Sequence, residues 1–294
     1  MTTPLRMMTM PAMTNKKNAT AMVCKRGNGA QPTGAMPRFL FTCAYDGAPW
    51  RGWQSQAGGL TVQDCIEEAL ARILHSPVRI SAAGRTDAGV HALDQHFHLD
   101  PPPDSRMDAH AWRAALNAHL PASVRIMAVR PVSSQFHARF SAIGKIYEYR
   151  IWLGPVLPPH LAGRAWHHPH PLDQDLLRQA LACYCGEHDF RLFAARRGNE
   201  PALPPADYYM RTIYSATCHQ EGDLLSLRFH GNGFMYRMVR LLVGSACRVA
   251  AGRAPLQSIS QALQEPATGR KTRYCAPAGG LYLLRVLYPP IEEA

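Results

Sequence analysis

The sequence predicts an α+β fold of two similar halves with mostly antiparallel sheets, and three observations carry that reading. Period-two runs rich in β-branched and aromatic residues alternate with runs whose apolar residues recur every three to four positions. The element order, β-α-β…α-β and then β-α-β-β-α…β, repeats in plan across a dividing stretch at residues 131–142. The chain has 294 residues, 47 % of them apolar, which suits about two domains with filled cores.

The elements follow in order. Residues 1–36 are rich in Met, Thr, Asn, Gly and Pro and lack periodicity. They read as a disordered basic tail, with a start codon misjudged ahead of Met36 or an organelle transit peptide as the other readings. The N-terminal half, 37–131, opens with the β-run Phe39 to Tyr45, stopped by the Asp46-Gly47 turn. Thr61 caps a helix to His75 that sets Val62, Ile66, Ala69, Leu70 and Ile73 on one stripe. Val78 to Ala83 reads as a strand broken at Gly84; a strand with Gln95, Phe97 and Leu99 on one face, a helix around Trp112 and Leu116, and a strand from Val124 to Val129 follow. In the C-terminal half, 132–294, Lys145 to Leu153 alternates so that Lys145, Tyr147, Tyr149 and Ile151 share a face. A helix over Leu176 to Tyr184 and a Pro-rich charged loop from Arg196 to Pro205 come next. Thr212 to His219 and Leu224 to His230 form a hairpin about Gln220-Glu-Gly-Asp. The apolar spacing then predicts a helix from Phe234 to about Ala250, a short helix from Pro255, and a last strand, Leu281 to Leu287.

Charge narrows the partner. Lys and Arg number 32 against 21 Asp and Glu, a net +11, and residues 1–38 hold six cations and no acid. The moderately basic body that remains suits a polyanion. The eight cysteines are scattered and form no CxxC; Cys183 and Cys185 read as small buried residues near a helix end. His96/His98 and His167/His168/His170 lack Cys or carboxylate partners at ligand spacing, so no metal is expected. Arg237, Arg240 and Arg248 interrupt the longest apolar stretch, Met235 to Ala251, so no membrane association is expected and the cytoplasm is the expected compartment.

Three clusters could carry chemistry. In Gly84-Arg-Thr-Asp-Ala-Gly-Val-His91 glycines flank a cation, an anion and an imidazole, so that a bulky ligand could approach the Asp87 carboxylate; a capped turn with a surface ion pair accounts for the same composition. No Gly-Lys-Ser/Thr follows, which excludes a P-loop. His230-Gly-Asn-Gly leads into the apolar helix carrying Arg240, which either meets an anion or snorkels to water. Phe136-His-Ala-Arg-Phe-Ser-Ala with Lys145-Ile-Tyr147-Glu-Tyr149 interleaves basic and aromatic residues, as base stacking and phosphate contact require and as half-buried strands also do.

Taken together, Tyr45-Asp-Gly…Gly52-Trp-Gln-Ser-Gln, Gly84-Arg-Thr-Asp-Ala-Gly-Val-His, Asn117-Ala-His-Leu-Pro, Phe136-His-Ala-Arg-Phe-Ser-Ala, Gly231-Asn-Gly-Phe…Met238-Val-Arg240…Val243-Gly and Gly280-Leu-Tyr-Leu resemble the bacterial tRNA pseudouridine synthase A family over about residues 38–288. The resemblance implies the pseudouridine synthase fold, with two halves joined around a central basic catalytic cleft, in a cytoplasmic homodimer. It implies isomerisation of uridine at positions 38, 39 and 40 of the tRNA anticodon stem-loop. Asp87 matches the family's catalytic aspartate and nucleophile, Arg85 the basic residue two positions before it, Tyr147 the active-site tyrosine, and Arg240 the arginine paired with the carboxylate; these last three are the implied substrate-binding residues. Tyr236-Arg237 stands where many relatives carry histidines. The implied reaction breaks the C1′–N1 bond and rejoins the uracil through C5, so no cofactor is called for. A synthase of the same family acting on another RNA or tRNA position, or a noncatalytic RNA-binding protein, are the alternatives. A small-molecule glycosidase would want a second carboxylate.

Overall fold

Alternating apolar residues and short turns produce ten strands and five α-helices among the described residues. The computed structural model describes residues 38–196, 198, 204–267, 269 and 271–291, so the segment read as a tail lies outside it. In chain order the elements are β1 (Arg38–Tyr45), α1 (Val62–Leu74), β2 (Ser81–Ala82), β3 (His91–Leu99), α2 (Ala109–His119), β4 (Val124–Val132), β5 (Gly144–Trp152), β6 (Trp166–His167), α3 (Gln174–Ala182), β7 (Gly186–Asp189), β8 (Met210–Glu221), β9 (Leu224–Gly231), α4 (Met238–Ala250), α5 (Gln257–Gln264) and β10 (Leu281–Leu287).

All ten strands lie in one sheet, in the order β4-β1-β3-β10-β5-β9-β8-β7, with β2 on β3 and β6 on β5. The pairing is antiparallel except between β10 and β3 and between β5 and β6. The two strand groups expected of the two halves therefore meet across β10, which pairs with β5 over six residue pairs and with β3 through Tyr282 and Leu283.

Local chemistry explains the elements. Thr61 Oγ1 accepts from Asp64 N at 3.1 Å and starts α1, whose Val62, Ile66, Ala69 and Leu70 are buried. Asp108 and Asp173 cap α2 and α3 in the same way. Phe41 stacks on Phe97 at 4.7 Å and meets Trp112 edge-on at 6.1 Å, which fixes α2 over the N-terminal strands. On the other side of β10, α4 buries ten residues, from Met238 to Ala250. Gly222, at φ +56°, lets the β8–β9 hairpin turn within two residues.

Three expectations change. Val78–Ala83 pairs only at Ser81 and Ala82. The helix predicted from Phe234 starts at Met238, because Arg237 adopts a left-handed conformation (φ 59°, ψ 7°) that breaks the helical phase after a turn closed by Met238 N to Met235 O at 3.1 Å. Cys183 and Cys185 are half-buried rather than buried, since Cys183 caps the end of α3.

Candidate active site

Asp87 stands on the loop between β2 and β3, and that loop is tied down along its length. Ala83 N donates to His96 O at 2.7 Å, Gln95 Nε2 to Gly84 O at 3.0 Å, and Trp53 N to Thr86 O at 3.1 Å. The Thr86 hydroxyl meets the Tyr45 hydroxyl at 2.8 Å in the interior. Gly52 makes the close approach possible. At φ +93° it occupies a backbone region that suits glycine, and a Cβ there would lie 2.7 Å from Thr86 O and 3.1 Å from Ala88 N. The Gly52-Trp53 pair thus supports the carboxylate from beneath.

Arg240 comes from the opposite side. The late start of α4 puts it in the first turn, where its Nη1 lies 3.1 Å from Asp87 Oδ2 and its Nε donates to Ala276 O at 2.7 Å. The two side chains are 14 % and 13 % exposed, so the pair is mostly shielded from water and each charge is compensated by the other. Gly244, one helical turn on, has no room for a side chain: a Cβ would sit 1.9 Å from Tyr274 O. The segment at 274–276 can therefore lie along α4, where Ala276 N donates to Arg240 O at 3.0 Å.

Two adjoining cavities open here. Asp87, Arg85, Arg240, Arg237 and Arg51 line one of about 670 Å³. Tyr147, Lys145, Phe234, Arg139 and Arg211 line the other, of about 650 Å³, and Gln54, Arg85 and Tyr236 belong to both. Of the residues singled out in the sequence, Asp87, Arg85 and Arg240 are thus brought to one cavity, whereas Tyr147 faces the neighbouring one. The Tyr147 ring meets Phe234 edge-on at 5.2 Å. Arg85 is exposed at the shared rim. Among the described residues no cluster of His, Cys, Asp and Glu has the make-up of a metal site.

A family model described as tRNA pseudouridine synthase matches residues 22–141 and 180–289, reaching back into the segment read as a tail. The chain belongs to the tRNA pseudouridine synthase family. It is 48 % identical over 254 residues to tRNA pseudouridine synthase A of Akkermansia muciniphila, covering 86 % of this chain and 96 % of that one. The protein of the same description from Methylacidiphilum infernorum is 36 % identical over 88 % of this chain and 99 % of its own, and that of Bordetella petrii is 39 % identical over 87 % and 92 %. Members of the tRNA pseudouridine synthase family are isomerases that convert uridine to pseudouridine, and the large mixed, mostly antiparallel sheet fits that fold.

Within this tRNA pseudouridine synthase, two contributors escaped the sequence reading: Ala276 O holds Arg240, and Arg211 lines the second cavity, while Arg237, noted in the sequence without a role, turns the chain ahead of α4. A backbone carbonyl carries no sequence signal, and Arg211 lies in an ordinary strand. His91, by contrast, lines neither cavity. Its Nδ1 accepts from Gly47 N at 3.1 Å, its Nε2 lies 2.9 Å from Gly163 O, and its ring stacks on Tyr282 at 4.6 Å, which makes it a tie between three segments.

Proposed function

We propose that this protein converts uridine to pseudouridine at positions 38, 39 and 40 of the tRNA anticodon stem-loop, as a homodimer in the cytoplasm, with Asp87 as the catalytic nucleophile. The observation that carries the assignment is the shielded Asp87–Arg240 pair at the wall of a basic cavity. We further propose the division into halves at 37–131 and 132–294, with Asp87 supplied by the first and Arg240 and Tyr147 by the second.

A uridine stacked in a helix cannot reach Asp87, so the enzyme extrudes it, at a cost of a few kcal/mol in lost stacking. Arg85, exposed at the rim, meets the incoming strand. The Asp87 carboxylate starts the reaction by adding to the uracil ring or to C1′, or by taking the C2′ proton, and all three routes use the same anion. Arg240, fixed by Ala276 O, keeps that anion oriented in the absence of bulk water. Once the C1′–N1 bond has broken, the uracil turns and rejoins through C5, and loss of the C5 proton completes a net isomerisation. Tyr147 stacks on the base during that turn, with Phe234 holding its ring upright.

The test is to map pseudouridine in tRNA from cells lacking the gene, with and without a wild-type copy. Loss at positions 38–40, restored by wild type and not by Asp87→Asn, supports the reading. Unchanged pseudouridine at those positions, with loss elsewhere, would move the target to another RNA site.

A further inference from the structure

Gly52 and Trp53 brace the Asp87 loop, and the next residue, Gln54, is drawn in with them. Trp53 N donates to Thr86 O at 3.1 Å and Gln63 N to Trp53 O at 3.0 Å, so the backbone beside Gln54 is tied both to the loop that carries Asp87 and to α1. The Gln54 side chain lines the Asp87 cavity and the Tyr147 cavity alike. A run of hydrogen bonds behind it decides which end of its amide faces them. Glu67, 9 % exposed, accepts at Oε1 from Ile80 N at 3.1 Å and Gln63 Nε2 at 2.8 Å, and at Oε2 from Arg79 Nη1 at 2.8 Å. Ser55 N, which can only donate, meets Gln63 Oε1 at 3.2 Å. The Gln63 amide is thus fixed at both ends and cannot turn over. It presents its oxygen to Gln54, whose Nε2 donates to it at 2.8 Å. That leaves Gln54 Oε1, an acceptor with no hydrogen-bond partner among the described residues.

We propose that Gln54 is the residue that tells uridine from cytidine: its Oε1 accepts the N3–H of the extruded uracil, with Gln63 and Glu67 as positioning residues behind it. The proposal rests on the uridine reading above. A flipped base is read by hydrogen bonds along its pairing edge, and N3 lies at the middle of that edge. Uracil carries a hydrogen there. Cytosine carries a lone pair, which would be set against Oε1 and leave the acceptor unpaired. The same contact suits the turn of the base. N1 and C5 are both bonded to C6 and stand on either side of the line from C6 to N3, so a half turn about that line exchanges them. O2 and O4 trade places in that turn, while N3–H stays on the axis. One fixed acceptor therefore serves the uracil before and after it turns, and an acceptor whose polarity is locked through Gln63 needs no rearrangement between the two.

The experiment gives the full chain a tRNA with uridine or 3-methyluridine at position 39, tritiated at C5 of that residue, and no other uridine at 38–40. It reads kcat/KM by tritium release and Kd by fluorescence anisotropy. The methyl group takes away the N3 hydrogen and leaves C5, C1′ and the charge unchanged. Wild type should prefer uridine by about 100-fold. Gln54→Ala removes the acceptor and opens room for the methyl group, so turnover of uridine should fall, that of 3-methyluridine should not, and the preference should shrink to about threefold or less. Gln63→Met frees the Gln54 amide to turn over. It should narrow the preference to about tenfold and leave the slope of log affinity against log salt as in wild type, since no phosphate contact is lost. Equal turnover of the two tRNAs by wild type, or an undiminished preference in Gln54→Ala, overturns the contact. A wild-type preference in Gln63→Met overturns the positioning. Turnover of uridine by wild type with an unchanged preference in Gln54→Ala removes the Gln54 contact alone; a preference that appears in Kd and is lost in Gln54→Ala, without turnover by wild type, removes the enzymatic reading alone.

Discussion

Asp87 and Arg240 are partners across 153 positions of sequence, and neither is explained without the other. Asp87→Asn removes the reacting anion and little else, so turnover should vanish while tRNA affinity stays within about tenfold, read by a tritium-release assay beside a binding titration. Arg240→Met acts on stability as well. It keeps the apolar stem but strands a shielded carboxylate and takes the donor from Ala276 O, at a cost of about 3 kcal/mol in urea unfolding. Adding Asp87→Asn should return at least about 1 kcal/mol of that, because the stranded charge is gone. Additive losses in this cycle would show that the pair is not coupled. The Asp87 loop was legible in the sequence as glycines around three polar residues. Arg240 was legible as an arginine on an apolar helix that either meets an anion or reaches for water, and its pairing with Asp87 came only from the family resemblance, because the partner lies on a distant loop.

Two elements hold the site by their packing. Gly244 lets the 274–276 segment run against α4, and Gly244→Ala would push it away by its contact with Tyr274 O. The loss should be at least about 3 kcal/mol in thermal or chemical unfolding. Activity should fall further than stability alone explains, because Ala276 O would leave Arg240. On β5, Glu148 is 5 % exposed and takes hydrogen bonds from Arg150 and Arg228, both at 2.8 Å, the second across the β5–β9 register. Burial alone would raise its pKa, but the bonds from Arg228 and Arg150 outweigh burial and hold it below the ordinary value. A lowered folded-state pKa stabilises above the unfolded value and is lost as pH falls through the folded one. Glu148→Gln should therefore cost about 2 kcal/mol at pH 7, and the gap from wild type should close as pH drops below about 4. Periodicity revealed α1, α2, β5 and the β8–β9 hairpin because each has its own apolar stripe or face. It missed β6 and β7, of two and four residues, which exist only because neighbouring strands offer free hydrogen-bonding edges.

At the scale of the molecule, the arrangement turns on β10. Its sequence announced a strand, but nothing local could announce that it would lie between β3 and β5, pairing with one in parallel and the other antiparallel. A chain cut before Leu281 should leave both edges open and fail to reach the folded state, which soluble yield and far-ultraviolet circular dichroism would register. The order of manufacture gives that position a meaning of its own. A growing polypeptide emerges with Asp87 first and Arg240 long after, yet β10, the strand between β3 and β5, is made after every other strand among the described residues. Until it is made, β3 and β5 lack the strand that lies between them in the sheet, so the nascent chain is missing the neighbour that joins the strands on either side of it.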